Sequence, residues 1–347
     1  MVNETRTGSD SPRIDISRVG GEIIISQHRP ALLAHLTGMG VTQALALVPA
    51  VLPICGAAQS VAALRAVEAA REEEAADLEL QRSQHLWREQ ALSAAWRLAV
   101  DWPDLLGLPR DLAWLKDVRG ATDEQVVVLL DKALAGLSSV ATAEDLAAWA
   151  RAGNSVAATL AQRALALQPE TDCVPLQAQA LRADALSARA RTLLASPDYN
   201  PGAAIAEAAE VGPLAMGRDP LVGTIVEQYG HGVHSRLLAL LADMRHIILG
   251  LAGEVLPQDA LTAWPEGEQV GTGCAFTARG PVFHRVELDD CDRVRQWRAI
   301  APTDWHFAPC GPVAAALAHC DAELHGRLTV ASFDPCAPWS LQLTEGS

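Results

Sequence analysis

Phenylalanine and tyrosine are almost missing from this chain, at 4 and 2 of 347 residues. Ala and Leu fill the apolar half instead, and because they lose little on entering a helix they favour helices over sheets. Basic residues are also short: 27 Lys and Arg against 42 Asp and Glu leave a formal charge of −15. That balance offers no basic stripe for phosphate neutralisation, which excludes nucleic acid as a partner and an anionic membrane surface with it. Long apolar runs are missing as well. ALALVPAVLPICGAA is broken by prolines and too short for a bilayer, and LLALLADMRHIILGLAG carries Asp243, Arg245 and His246. Both read as buried core, and no membrane insertion is expected. The opening MVNETRTGSDSPRID lacks the apolar segment of a secretory signal. Seven cysteines at irregular spacing make no disulfide framework in a chain this long, and the reading is a cytoplasmic protein with free thiols.

A chain of this length holds one large domain or two ordinary ones. Residues 1–14 are polar and read as disordered, and 15–347 reads as a single domain in three stretches. A strand and a first thiol motif occupy 15–60, helices occupy 61–255, and a small sheet with a second thiol motif occupies 256–347. RVGGEIIISQH reads as a strand, with β-branched residues and bounding glycines. VAALRAVEAAREEEAADLEL has helical spacing, with its charge run as a solvated face. Thr122 and Gln125 make a capping box ahead of VVVLL, and SPDYNPG is a turn cluster between helices. Two strands flank Arg279-Gly280-Pro281, RVRQWRAIAP is a third, and AAALAHCDAEL returns to helix.

Two thiols sit on turns. Cys55 precedes Gly56 at the entrance of an apolar helix, where the positive helix end lowers a thiol's pKa and favours the thiolate. Taken alone, such a cysteine is more often an inert buried thiol. Cys336 stands on the Asp334-Pro335 turn, with Trp339 and Gln342 at helical reach and neither a partner for it. His231, His234 and His246 read as polar residues of a long helix. Cys310, His319, Cys320 and His325 match no zinc finger or ribbon spacing. Cys173, Cys274 and Cys291 read as structural, and Trp87, Trp96 and Trp102 as packing or as an exposed surface for a partner.

The flanks of Cys55 and Cys336 resemble the two metal-binding motifs of nickel–iron hydrogenase large subunits, Cys-Gly-x-Cys and Asp-Pro-Cys-x-x-Cys-x-x-His. The first cysteine of each pair is kept, while the second is Ala58 or Trp339. Gln342 takes the place of the C-terminal histidine and Ala62 that of the histidine after the first motif. AFTARGPVFHRVEL is similar to the family's Ala-Pro-Arg-Gly segment, and IAPTDWHFAP to its Pro-Thr/Ser-Thr-Trp-Asn segment. The resemblance implies that Arg279 and Thr303 hydrogen-bond the cyanides of an active-site iron, charge-assisted bonds suited to a dry pocket. It spans roughly residues 16–70 and 220–342, with the motifs in the family's order.

The losses shape the expected function. Ala58 and Trp339 stand where the bridging thiolates would be, and Gly20 stands where a proton-gating glutamate would be, with Glu22 nearby. With this half-cysteine pattern, and HLWREQALSAAWRLAVDWPDLLG as a Trp-rich helix ending in Asp-Trp-Pro, the chain is identified as a member of the HupK/HoxV hydrogenase maturation proteins. The resemblance implies a mainly helical α+β fold, a shortened large subunit with a small C-terminal sheet, whose motifs meet at a buried site beneath the helices. It implies a scaffold, not an enzyme, that holds an Fe(CN)2(CO) fragment on Cys55 and Cys336 without nickel and passes it on. Soft thiolates suit such an iron, and two release it more readily than four. The implied partners are maturation factors of the iron-cyanide-carbonyl pathway and the hydrogenase large subunit. The alternative is a metal-free chaperone that imitates the large subunit.

Overall fold

A computed structural model describes residues 12–29, 31–73, 76–167, 183–199, 205, 209–255, 263–320 and 322–343. The segment RVGGEIIISQH belongs to a hairpin, β1 (Arg13–Val19) and β2 (Glu22–His28), rather than to one strand bounded by glycines. Gly20 and Gly21 form its turn at φ +58° and +85°, a left-handed pair that side-chain-bearing residues resist. β1 starts a little before the expected boundary at residue 15.

Helix α1 (Val41–Val51) runs into α2 (Gly56–Arg71) through a corner containing Pro53, where the axis turns by 94°. No single helix among the described residues is long and apolar enough to cross a membrane. The charge run after α2 ends that helix instead of lining it: Glu72 adopts a left-handed φ of 55°, and α3 (Glu79–Trp96) is a separate element. A π-helical turn, Arg97–Asp101, follows α3. The capping box at Thr122 forms as expected, with the Gln125 side chain and backbone meeting Thr122 reciprocally. SPDYNPG reaches into residues outside those described.

The long helix α4 (Val233–Leu251) crosses α3, and Trp87 of α3 lies flat on Gly250, where an added Cβ would stand 2.3 Å from the indole. Trp87 and Trp102 are buried, as a packing role requires, whereas Trp96 is 39% exposed. After α4 come four antiparallel strands in sequential order: β3 (Ala263–Gly267), β4 (Val270–Thr277), β5 (Gly280–Leu288) and β6 (Val294–Ile300). A short helix, α5 (Pro302–His306), follows directly. AAALAHCDAEL is split between helices Pro312–Leu317 and Glu323–Ser332. The last strand, β7 (Trp339–Gln342), pairs parallel with β1, so the two ends of the described chain join one sheet in the order β2-β1-β7.

Helix α2 packs directly on β4. Gly271 and Gly273 point at the helix, and a Cβ there would stand 2.3 Å and 2.2 Å from the carbonyl oxygens of Ala66 and Ala62. The alanines of α2 and the glycines of β4 therefore let two backbones touch. Polar ties fix the register: Arg65 donates to the Cys274 carbonyl at 2.7 Å inside this interface. Farther along the sheet, Trp297 Nε1 of β6 donates to Nδ1 of His284 on β5 at 2.9 Å, so His284 Nε2 carries the proton it donates to Gln59 of α2 at 2.6 Å. Burial pushes the His284 pKa down to about 3, which keeps this relay neutral.

Because neither backbone can retreat without moving Cys55 or the strand, Gly273→Ala should cost about 3 kcal/mol of stability in urea denaturation. Gly223→Ala, on the exposed face of a helix where nothing lies within 4 Å, should be neutral or stabilise by up to about 1 kcal/mol. Equal effects at the two glycines would contradict the packing argument.

Candidate functional site

The corner between α1 and α2 carries Cys55 as the N-cap of α2, 8% exposed. Its neighbour comes from the β4–β5 turn. Thr277 Oγ1 accepts the Arg279 N–H at 2.9 Å and donates to the Gly280 carbonyl at 2.8 Å, which shapes the turn. Gly280 sits at φ +120°, and a Cβ there would stand 2.0 Å from the Val211 carbonyl oxygen, so only glycine fits. The turn aims Arg279 so that Nη1 donates to Cys55 Sγ at 3.6 Å.

Asp334 holds the other side of that guanidinium. Arg279 Nε donates to the Asp334 carbonyl at 2.9 Å and lies 2.8 Å from Oδ2, and Nη2 donates to Oδ1 at 3.3 Å. Asp334 adopts a left-handed φ of 52° immediately before Pro335, a costly conformation held by these bonds. The turn delivers Cys336, whose Sγ lies 2.9 Å from Thr303 Oγ1, while the Cys336 N–H donates to the same hydroxyl at 3.4 Å. Thr303 is buried in α5. Next to it Asp304 accepts the Ala301 N–H at 2.7 Å and pairs with Arg29 at 2.7 Å.

The structure thus brings together all four residues singled out in the sequence: Cys55, Arg279, Thr303 and Cys336. Arg279 and Cys336 line an open cleft of ≈820 Å³ together with Ile54, Glu89, Trp96 and Asp334, while Cys55 and Thr303 are buried behind them, so the site is reached from a cleft and not sealed beneath the helices. Cys55 is buried and Cys336 half-buried. Glu22 is exposed at the start of β2, and Trp339 opens β7 with its ring under the Arg327 guanidinium.

The expected electrostatics of Cys55 are reversed. Burial pushes its pKa up to about 11; Arg279 opposes this, and Cys336 and Glu89 add to it. The helix end cannot supply the expected depression, because Glu89 of α3 already caps it. The Glu89 carboxylate accepts the N–H of Ala57 at 2.7 Å and of Ala58 at 3.1 Å, placing negative charge on the first turn. Burial outweighs those two bonds and raises the pKa of Glu89 as well.

Sequence reasoning missed Glu89, Arg97 and the role of Asp334. Arg97, 3% exposed in the π-helical turn, forms an ion pair with the Asp334 carboxylate. Burial and the neighbouring Arg279 push its pKa down to about 9, which leaves it charged at neutral pH. The signal was present in the sequence: Arg97 is the lone charged residue in the apolar stretch AAWRLAV. No group of three or more potential ligands positioned for a metal exists among the described residues, which covers the His231, His234 and His246 set and the Cys310 to His325 set. Cys274 is buried as a structural thiol, but Cys291 is exposed in a turn, and Cys173 lies outside the described residues. Cys320 is disulfide-bonded, contrary to the expectation of free thiols throughout.

No protein-family model matches the chain. The hydrogenase expression/formation protein HupK of Bradyrhizobium diazoefficiens is 34% identical over 122 residues, covering 33% of this chain and 34% of that protein. HoxV of Cupriavidus necator, named likewise, is 38% identical over 77 residues, 20% of each chain. The matches span about a third or less of these relatives' lengths. In three dimensions the chain is similar to an NAD+-reducing NiFe-hydrogenase in its H2-reduced state, with TM-score 0.50, 16% identity, and 91% of this chain and 93% of that one covered. It is also similar to the NiFeSe-hydrogenase of Dm. baculatum, with TM-score 0.52, 13% identity and 92% and 94% covered. The fold is that of hydrogenase large subunits, shortened.

A thiol raised from 9.0 to about 11 on folding stabilises the protein fully below pH 9, and that contribution disappears as pH rises toward 11. Between those limits wild type should lose up to about 2–3 kcal/mol more stability than Cys55→Ala. Thermal melts of both proteins across this range measure the difference; parallel curves would mean that Cys55 titrates normally.

Proposed function

Starting from a chain homologous in part to the HupK/HoxV expression/formation proteins and built on the hydrogenase large-subunit fold, we propose that it is an assembly scaffold of nickel–iron hydrogenase maturation. In this reading Cys55 and Cys336 transiently hold an Fe(CN)2(CO) fragment as cargo, which is then passed to the hydrogenase large subunit. The observation that carries it is the convergence of four remote segments: Arg279 donates to the Cys55 sulfur while Thr303 meets the Cys336 sulfur. Each thiol thus has a hydrogen-bonding group beside it that also suits a cyanide nitrogen.

The residues present fit reversible holding. Binding requires each thiol to lose its proton, so affinity falls as the thiol pKa rises above ambient pH. For Cys55, a rise of about two units costs roughly a hundredfold in apparent affinity at neutral pH. The open cleft gives the cargo and a partner protein a route to Cys336. Ala58 and Trp339 offer no metal ligand, so the reading is a carrier rather than an enzyme, without nickel. Its donors would be maturation factors of the iron-cyanide-carbonyl pathway, and its place the cytoplasm.

A second reading, a metal-free chaperone that imitates the large subunit, draws support from the fold likeness extending over 91% of the chain. Infrared spectroscopy separates the two, using protein purified without oxygen from a host with an intact maturation pathway. The carrier reading expects metal-bound cyanide and carbonyl stretches that vanish in Cys55→Ala and in Cys336→Ala. Protein that supports maturation without those bands would refute it in favour of the chaperone.

A further inference from the structure

The two thiols stand at different depths. Cys336 is half-buried and lines the ≈820 Å³ cleft, whereas Cys55 is 8% exposed and takes no part in the cleft wall. The residues around Cys55 do take part: Ile54 before it, Ala57 after it, the Glu89 carboxylate bound to that helix turn, and Arg279. Cys55 therefore lies behind the surface that an incoming group meets first.

The hydrogen-bonding partners add to this asymmetry. Cys336 Sγ meets Thr303 Oγ1 at 2.9 Å, and Thr303 is 2% exposed and does not line the cleft, so the partner stands behind the sulfur. Cys55 Sγ accepts from Arg279 Nη1 at 3.6 Å, and that guanidinium belongs to the cleft wall, so the partner stands in front. Arg279 is also held in place, with Nε donating to the Asp334 carbonyl and Nη2 to its carboxylate. One thiol is tethered from the protein side and left open toward the cleft; the other is covered from the cleft side.

We propose that the two thiols act in order: Cys336 receives the iron unit from its donor, and Cys55 closes on it second, once Arg279 Nη1 has left its sulfur. The inference rests on the carrier reading and adds a sequence of events to it. In the first exchange a bond forms between the Cys336 sulfur and iron(II), and a bond from iron to a donor thiolate breaks. The Cys336 proton goes to that departing thiolate, which leaves as a thiol. The second exchange repeats this at Cys55, with a second donor thiolate leaving as a thiol. Cyanides and carbonyl stay on iron throughout, and iron remains iron(II), so no electron is transferred. Between the two exchanges the unit is held by donor and carrier together.

The test uses the full chain without cargo and, as probe, a synthetic iron(II) dicyano-carbonyl complex carrying two monodentate thiolates. Uptake is followed without oxygen by rapid-mixing infrared spectroscopy. Wild type should show two successive changes in the cyanide and carbonyl stretches. Cys55→Ala should show the first change and lack the second, and its singly held unit should be lost on gel filtration. Cys336→Ala should take up the probe at least about tenfold more slowly than Cys55→Ala, because its remaining thiol is covered. Uptake by Cys336→Ala as fast as by Cys55→Ala, or faster, would overturn the order while leaving the carrier reading intact. Should Cys336→Ala not fold, judged by circular dichroism, Cys336→Ser is read by the same criterion. Wild type that takes up no probe would overturn the carrier reading and the order together.

Discussion

Everything at the candidate site depends on two backbones being allowed to touch. Helix α2 lies on β4 because the strand presents Gly271 and Gly273 and the helix presents alanines, and neither surface can accept even a methyl group there. This contact fixes both halves of the inner site at once. Cys55 starts the helix, and Arg279 follows the end of the strand, so the distance between them is set by the register of one interface. Close packing of this kind transmits small shifts rather than absorbing them. The buried relay from Gln59 through His284 to Trp297 locks the same register from the neighbouring strand.

The outer half of the site arrives by a different route. Cys336 lies far along the chain from Cys55, and the parallel pairing of β7 with β1 returns the C-terminal segment to the N-terminal hairpin. What orients the thiol locally is the Asp334 turn, whose left-handed backbone is held by Arg279 through both carbonyl and carboxylate. Arg279 therefore belongs to both halves: it bonds the Cys55 sulfur and the turn that carries Cys336. A single guanidinium with donors pointing several ways is suited to this, whereas the point charge of a lysine is not.

Much of this was legible in the sequence, and the pattern of misses has a physical cause. Strands β4 and β5 announce themselves by the Arg279-Gly280-Pro281 turn between them, the Thr122 box by its spacing, and the four site residues by degenerate motifs in a fixed order. The hairpin was misread because a Gly-Gly pair punctuates a strand and turns one equally well. The Cys55 thiol was misjudged because its environment is set by Glu89, a residue on another helix, and by burial, neither of which local spacing contains. Arg97 was missed for the same reason: its partner Asp334 is separated from it by most of the chain. Periodicity reports which face is apolar; it does not report which charges share a carboxylate.

The substituted motif positions are more than deletions. Ala58 occupies the place of a bridging cysteine, and its N–H, with that of Ala57, is bound by the Glu89 carboxylate. A second thiolate at position 58 would sit on a helix turn whose positive end has been cancelled and would face a neighbouring carboxylate, so its ionisation would be opposed twice over. Arg97 and Arg279 in turn both pair with the Asp334 carboxylate. Charge is thus compensated on both sides of the thiols, by Glu89 on the first turn of α2 and by Asp334 between two guanidiniums. With a carboxylate already bound to that turn, a cysteine placed at position 58 would not by itself supply a further thiolate.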